Sequence, residues 1–152
     1  MSSLLGVSQK CQYALRALFE LALRYPLEHV TTVAEIAETQ QIPPRFLEQI
    51  LSKLRAGGYI DSRRGNQGGY VMTVSPSSIS VGEIIRFVEG SDESIDCLKK
   101  SGKSHCPFMG GCAFKDLWGR AKSSMAEIFD GTTFQDLKDK QSQANCLIDY
   151  TI

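Results

Sequence analysis

Histidine is scarce, no long apolar run is present, and the formal charges of the 152 residues cancel to zero. Each shortage removes a class of function. Two histidines, no serine or cysteine set beside a base in motif form, and no phosphate-cradling glycine loop leave little to run a reaction, so no enzyme is expected. No stretch is apolar for the length of a membrane span, and Met1 to Val7 lacks the charged start and long apolar stretch of a secretion signal. A cytoplasmic location is the expectation. Zero net charge argues against a protein that coats nucleic acid indiscriminately. The cysteines number five, and in a reducing compartment a disulfide framework is disfavoured. Metal binding or thiol redox chemistry becomes the better question for them.

What is present is unevenly placed. Residues 41–75 hold Arg45, Lys53, Arg55, Arg63 and Arg64 against Glu48 and Asp61, five basic side chains to two acidic, whereas residues 76–152 hold nine basic and eleven acidic. A surface for a polyanion therefore belongs to the first half. Three helical patterns occupy the first sixty residues. Ser8 caps the first, which runs to about Tyr25 with Ala14, Leu18, Leu21, Ala22 and Tyr25 on one stripe, and Pro26 stops it. Thr32 with Glu35 is a capping box that opens a second, short helix, followed by a turn at Gln40 and Gln41. Pro43 and Pro44 start the third, whose Leu47, Ile50, Leu51 and Leu54 fall at the helical interval and whose outward residues are Arg45, Glu48, Gln49, Ser52 and Lys53. Gly57 and Gly58 end it. Strands at Tyr59–Ser62 and Tyr70–Val74, joined by a glycine-rich turn, predict a hairpin.

Further on, Ser80 and Glu83 make a second capping box, opening a helix to Gly90. Periodicity vanishes over residues 91–111, and a long helix then runs from about Ala113 to Phe129, with Leu117, Ala121, Ser124, Met125 and Ile128 on one stripe and Trp118 and Phe129 widening it. Thr132 with Gln135 caps a last short helix, and Gln141 to Ile152 reads as a loose tail. The expected division is a unit of helices and hairpin over 1–90, a cysteine-containing loop over 91–112, and a long helix with tail over 113–152. The fold class is mainly α with a small β-hairpin wing: a winged helix-turn-helix plus a long C-terminal helix.

Two short helices joined by a tight turn, the second presenting polar and cationic groups, suit a major groove, and a hairpin with paired arginines suits a phosphate or a minor groove. The stretch FLEQILSKLRAGGYIDSRRGNQGGY, with QYALRALFELA before it and ISVGEIIRFVEG after it, resembles the Rrf-two family of bacterial winged-helix transcription regulators. That resemblance implies a homodimer on double-stranded DNA with a palindromic operator, read by Arg45, Phe46, Glu48 and Gln49 on the recognition helix and by Arg63, Arg64 and Asn66 in the wing. It also implies dimerisation through Leu117, Ala121, Met125 and Ile128. Where some relatives carry a small residue this chain has Arg45, so their preferred DNA sequence does not carry over to it.

Cys97, Cys106 and Cys112 share one stretch with Pro107, Gly110 and Gly111, and thiolates so placed suit a soft iron-sulfur cluster. The resemblance extends here too, since some family members hold a cluster on a three-cysteine loop, although their first gap is usually shorter. Neither of their fourth ligands is present: Lys115 and Gln12 occupy those positions. His105, Asp116, Cys11 or a small molecule remain as ways to complete the set. Zinc on three thiols with His105, cluster-free redox thiols, and inert cysteines are the competing readings. The chain ends with Asp149, Tyr150, Thr151 and Ile152, a terminus that resembles peptides docking into cysteine synthase; by this reading Tyr150 and Ile152 form a partner tail. A cluster-free regulator of cysteine metabolism, controlled by thiol oxidation or by that docking, is thus the alternative to a cluster sensor. A scaffold that uses the same fold for protein contacts is a third.

Overall fold

The structure, a computed structural model, describes residues 7–26, 30–65, 68–90 and 111–149. In order these form α1 (Gln9–Leu23), α2 (Val33–Gln40), α3 (Pro44–Ala56), β1 (Ile60–Arg63), β2 (Gly69–Met72), α4 (Val81–Glu89), α5 (Phe114–Asp130) and α6 (Phe134–Asp149), with a single 3-10 turn at Pro76–Ser78. The Ser8 hydroxyl accepts the Cys11 N–H at 3.1 Å and so begins α1. Thr32 and Glu35 form the expected reciprocal box: Thr32 Oγ1 accepts from Glu35 N at 3.2 Å, and the Glu35 carboxylate accepts from Thr32 N at 2.7 Å. Gln40 is the last residue of α2 rather than part of the turn, and Gln41, left-handed at φ 52°, swings the chain toward α3. Pro44 takes the first helical position, where a proline's missing N–H removes no intrahelical bond.

These three helices wrap one apolar core. Leu18, Ile36, Leu47, Leu51, Leu54, Ile60 and Ile84 are fully buried, each contributing about 2 kcal/mol over leaving it in water. One carboxylate enters the same packing. Glu20, almost wholly buried, accepts from Arg24 at 3.1 Å and from Gln40 Nε2 at 2.8 Å, which joins α1 to the end of α2.

The hairpin is antiparallel, with Ile60 opposite Met72 and Arg63 opposite Gly69. Its strands sit slightly displaced from the sequence expectation, and they gain a third partner that the sequence reading missed: Thr31 exchanges both backbone hydrogen bonds with Tyr70, at 2.8 and 3.0 Å. Gly69 is required there, because a Cβ would strike the Thr31 carbonyl.

The second capping box forms only in half. Ser80 Oγ accepts from Glu83 N at 3.1 Å, but the Glu83 carboxylate accepts the Tyr59 hydroxyl at 2.9 Å instead of returning to the Ser80 backbone. At the far end of α5, Asp130 lies against Gly82 of α4, in space that any larger residue would fill, and Arg86 grips the same carboxylate at 2.7 Å.

The C-terminal expectation is corrected. The last helix is not short, and residues 141–149 are not a loose tail: α6 spans sixteen residues. Its cap is Thr133 with Asp136, where the carboxylate accepts from Thr133 N at 2.8 Å and the hydroxyl accepts from Asp136 N at 3.1 Å. Thr132 is otherwise engaged, its hydroxyl donating to Ile128 O and its carbonyl accepting from Val81 N. Phe134, fully buried, supplies the core with a member from beyond residue 130, and Lys138 donates to Tyr25 O at 3.0 Å, holding α6 beside α1.

Candidate nucleic-acid interface

α3 buries Leu47, Ile50, Leu51 and Leu54 and turns Arg45, Phe46, Glu48, Gln49 and Ser52 to solvent. Its two ends treat their cations differently. Lys53, counted from sequence among the outward residues, is only half exposed, donates to Val88 O at 2.9 Å, and lies 5.5 Å from the Phe87 ring centroid. Arg55 donates to Ser62 Oγ at 3.1 Å, tying the end of α3 to β1 and so to the hairpin. Arg45, Glu48 and Gln49 have no hydrogen-bond or ion-pair partner among the described residues. Phe46 is half exposed, its ring 6.3 Å from that of Tyr13 on α1. The free half of α3 thus presents a guanidinium, a carboxylate, an amide and an aromatic edge, the donor, acceptor and apolar set that reads base edges.

In the hairpin, Arg63 closes β1 and Arg64 follows it, both exposed and both without a partner among the described residues. Sequence placed the pair together in the turn; the structure puts Arg63 on the strand. Gly65, at φ 142°, makes the bend that carries Arg64 outward, and Gly68 N donates to Gly65 O at 3.0 Å. Asn66 lies outside the described residues.

α5 differs from every helix before it, because none of its seventeen residues is buried. Leu117 and Ile128 are 52% and 65% exposed, Ala121 is open to solvent, and Met125 is half-buried. Phe114 and Trp118, also exposed, stack with centroids 6.1 Å apart. The predicted stripe lies on one helix, and among the described residues it is left largely uncovered, Met125 being the partly shielded member.

Of the three predicted ligands, Cys112 is described, half exposed just ahead of α5; Cys97 and Cys106, with His105, lie outside the described residues. Cys112 heads an open groove along α5 that is lined further by Lys115, Asp116, Gly119, Arg120 and Ser123. Asp116, one turn on, is highly exposed and sits 4.0 Å from Arg120. Cys11 is a different case. It is fully buried, and burial, reinforced by the neighbouring Glu89 carboxylate, pushes its thiol up to about 12. Of the ways to complete the ligand set, Cys11 is therefore a thiol closed off from solvent within α1, unlike the accessible Cys112. Among the described residues no three His, Cys, Asp or Glu side chains converge on a common point, and no helix is long and apolar enough to cross a membrane. Cys146 is exposed on α6, while Tyr150 and Ile152 fall outside the described residues.

Comparison with known proteins agrees with this geometry. The family model Rrf2, described as "Iron-dependent Transcriptional regulator", matches residues 7–140. CymR of Bacillus subtilis, an HTH-type transcriptional regulator, is 34% identical over 131 residues, 86% of this chain and 88% of that protein. IscR of Aliivibrio salmonicida is 36% identical over 131 residues, 86% of this chain and 76% of that one. Among solved structures, IscR of T. potens superposes with a TM-score of 0.72 at 34% identity, covering 91% of this chain and 89% of its own. B. subtilis CymR, described as "the Global Cysteine Regulator", gives 0.70 at 34% identity, covering 88% and 96%. The fold is therefore that of the winged-helix regulators, and the chain, no enzyme, belongs to the Rrf2 family of DNA-binding transcriptional regulators.

Proposed function

We propose that two copies of the chain pair through α5 and repress transcription from a palindromic operator, each copy setting α3 in a major groove and its wing against the neighbouring backbone or minor groove. One observation carries this reading: Arg45, Gln49, Arg63 and Arg64 have no partner among the described residues, while Lys53 and Arg55, on the same stretch, are engaged within the fold. Arg45 and Gln49 offer donors to base edges, Glu48 accepts from an exposed cytosine amine, Phe46 packs on a thymine methyl, and Arg63, Arg64 and Asn66 reach phosphate or minor groove. Pairing through Leu117, Ala121, Met125 and Ile128 covers an apolar face that the described chain leaves in water. Binding to a duplex selected from a random pool, measured against salt, tests the reading. A steep slope is expected, with loss of affinity in Arg64→Ala; a flat slope overturns it.

The same proposal assigns the sensor to residues 91–112. Cys97, Cys106 and Cys112 would hold an iron-sulfur cluster, which fits the part of the site that is described: an accessible Cys112 thiol at the head of an open groove, with the Asp116 carboxylate one turn away as an oxygen donor. Bound there, the cluster supplies one-electron redox sensitivity. Protein prepared without oxygen should be brown and carry iron and sulfide. Colourless, metal-free protein selects instead a regulator of cysteine metabolism like CymR, a reading favoured by the extent of that likeness. In that case Tyr150 and Ile152, which follow directly on α6, are the segment to test for docking into cysteine synthase, by deletion of Ile152.

A further inference from the structure

The chain has eight arginines, and the structure sorts them into two equal groups. Arg24 is held by Glu20 and Glu35, Arg55 by Ser62, Arg86 by Asp130, and Arg120 lies beside Asp116. Arg45, Arg63, Arg64 and Arg16 have no hydrogen bond or ion pair among the described residues. Three of this second group are the arginines already assigned to DNA. Arg16 was not singled out by the sequence, because α1 reads there as an ordinary amphipathic helix with a solvated outer face.

Its position is fixed by its neighbours. Three residues before it, Tyr13 lies beside Phe46, at the free end of α3, and accepts from Gln9 Nε2 at 2.9 Å. Four residues after it, Glu20 binds Gln40 at the end of α2. Residues at these intervals share one side of a helix. Arg16 is therefore on the side of α1 that runs along the turn between α2 and α3, exposed, with no carboxylate paired to it. A guanidinium so placed carries a full charge toward whatever occupies the α3 face, and duplex DNA brings a phosphate strand to each rim of the groove that a helix enters.

We propose that Arg16 is a backbone-phosphate contact: α1 supplies a third element of the DNA surface, alongside α3 and the wing. This rests on the DNA-binding reading of those two elements. As a phosphate contact it adds affinity without sequence preference, unlike Arg45.

The full-length protein serves for the test, with two duplexes of equal length, one selected by the wild type from a random pool and one scrambled. Arg16→Ala should weaken binding to both by roughly tenfold and flatten the dependence of log affinity on log salt by about one unit per chain. Arg16→Lys should retain most of both, and the thermal melting of each variant should match the wild type. Unchanged affinity and slope in Arg16→Ala, with Arg64→Ala impaired, overturn the proposal and leave the α3 and wing reading standing. Loss of the selected duplex alone, at unchanged slope, also overturns it. A wild-type protein that binds neither duplex sinks the DNA reading together with this one.

Discussion

α3 and α5 are both amphipathic, yet they use their apolar residues in opposite ways. α3 buries all four aliphatic side chains of its stripe in the core of its own chain and keeps polar groups for the outside. α5 has no fully buried residue and holds Phe114, Leu117, Trp118 and Ile128 in water, with Met125 and Phe129 partly covered. The difference separates a helix whose packing is complete within the chain from one whose packing is not. Sequence periodicity alone cannot draw that distinction, since both stripes look alike until their surroundings are known.

Substitutions test the contrast directly. The largest effect is expected from Leu51→Ala, which leaves a cavity at the centre of the core and should cost about 4 kcal/mol in denaturant unfolding. A loss no greater than that of Leu117→Ala, measured on the same dilute protein, would erase the distinction between the helices. Next is Leu117→Asp, whose side chain is half exposed in the single chain. It should leave the dilute-chain melt nearly unchanged but weaken self-association by roughly a hundredfold, about 3 kcal/mol, in sedimentation equilibrium. Dimers of undiminished strength would remove α5 from the interface. Smaller again is Thr32→Ala, which deletes the hydroxyl half of the α2 capping box; a loss of about 1 kcal/mol should appear in thermal unfolding.

The smallest effect concerns the start of α6. Hydrogen bonds from the Thr133 backbone and hydroxyl hold the Asp136 carboxyl below its ordinary value of 3.8. A lowered value means that the stabilisation is complete above the unfolded-state pKa and is lost as pH falls through the lower folded one. Between about pH 5 and pH 2 the wild type should therefore lose slightly more stability than Asp136→Asn. Parallel curves would show that the cap contributes nothing.

Much of the winged unit was legible in the sequence because its signals are local. Ser8, Thr32, Pro44 and Gly57 mark helix ends by their own backbone chemistry, and the α3 stripe names its buried residues. What escaped depended on partners far along the chain. Lys53 looks like any exposed lysine until Val88 and Phe87 arrive beside it, and Glu83 fits a capping box until Tyr59 takes its carboxylate. Thr31 gave no strand signal, since its two bonds to Tyr70 span a large stretch of sequence. The extent of α6 past Lys140 is hidden for another reason. From Lys138 to Gln143 every residue is polar, which breaks the apolar periodicity, and the helix carries through this stretch with polar i,i+4 links such as Gln141 to Asn145 at 3.1 Å. For the candidate site, residue types on α3 were readable, but which cations remain free was not, because that depends on what each guanidinium meets in three dimensions.

The seat of Asp130 against Gly82 has a consequence at a distance. Together with the Arg86 ion pair to that carboxylate, it fixes where the end of α5 meets α4. If two copies pair through α5 as proposed, the separation of the two α3 helices, and with it the number of base pairs between operator half-sites, would depend on that joint. On the proposed pairing, half-site spacing would then depend partly on a glycine outside the proposed reading surface, and a methyl group added there would shift which operators fit.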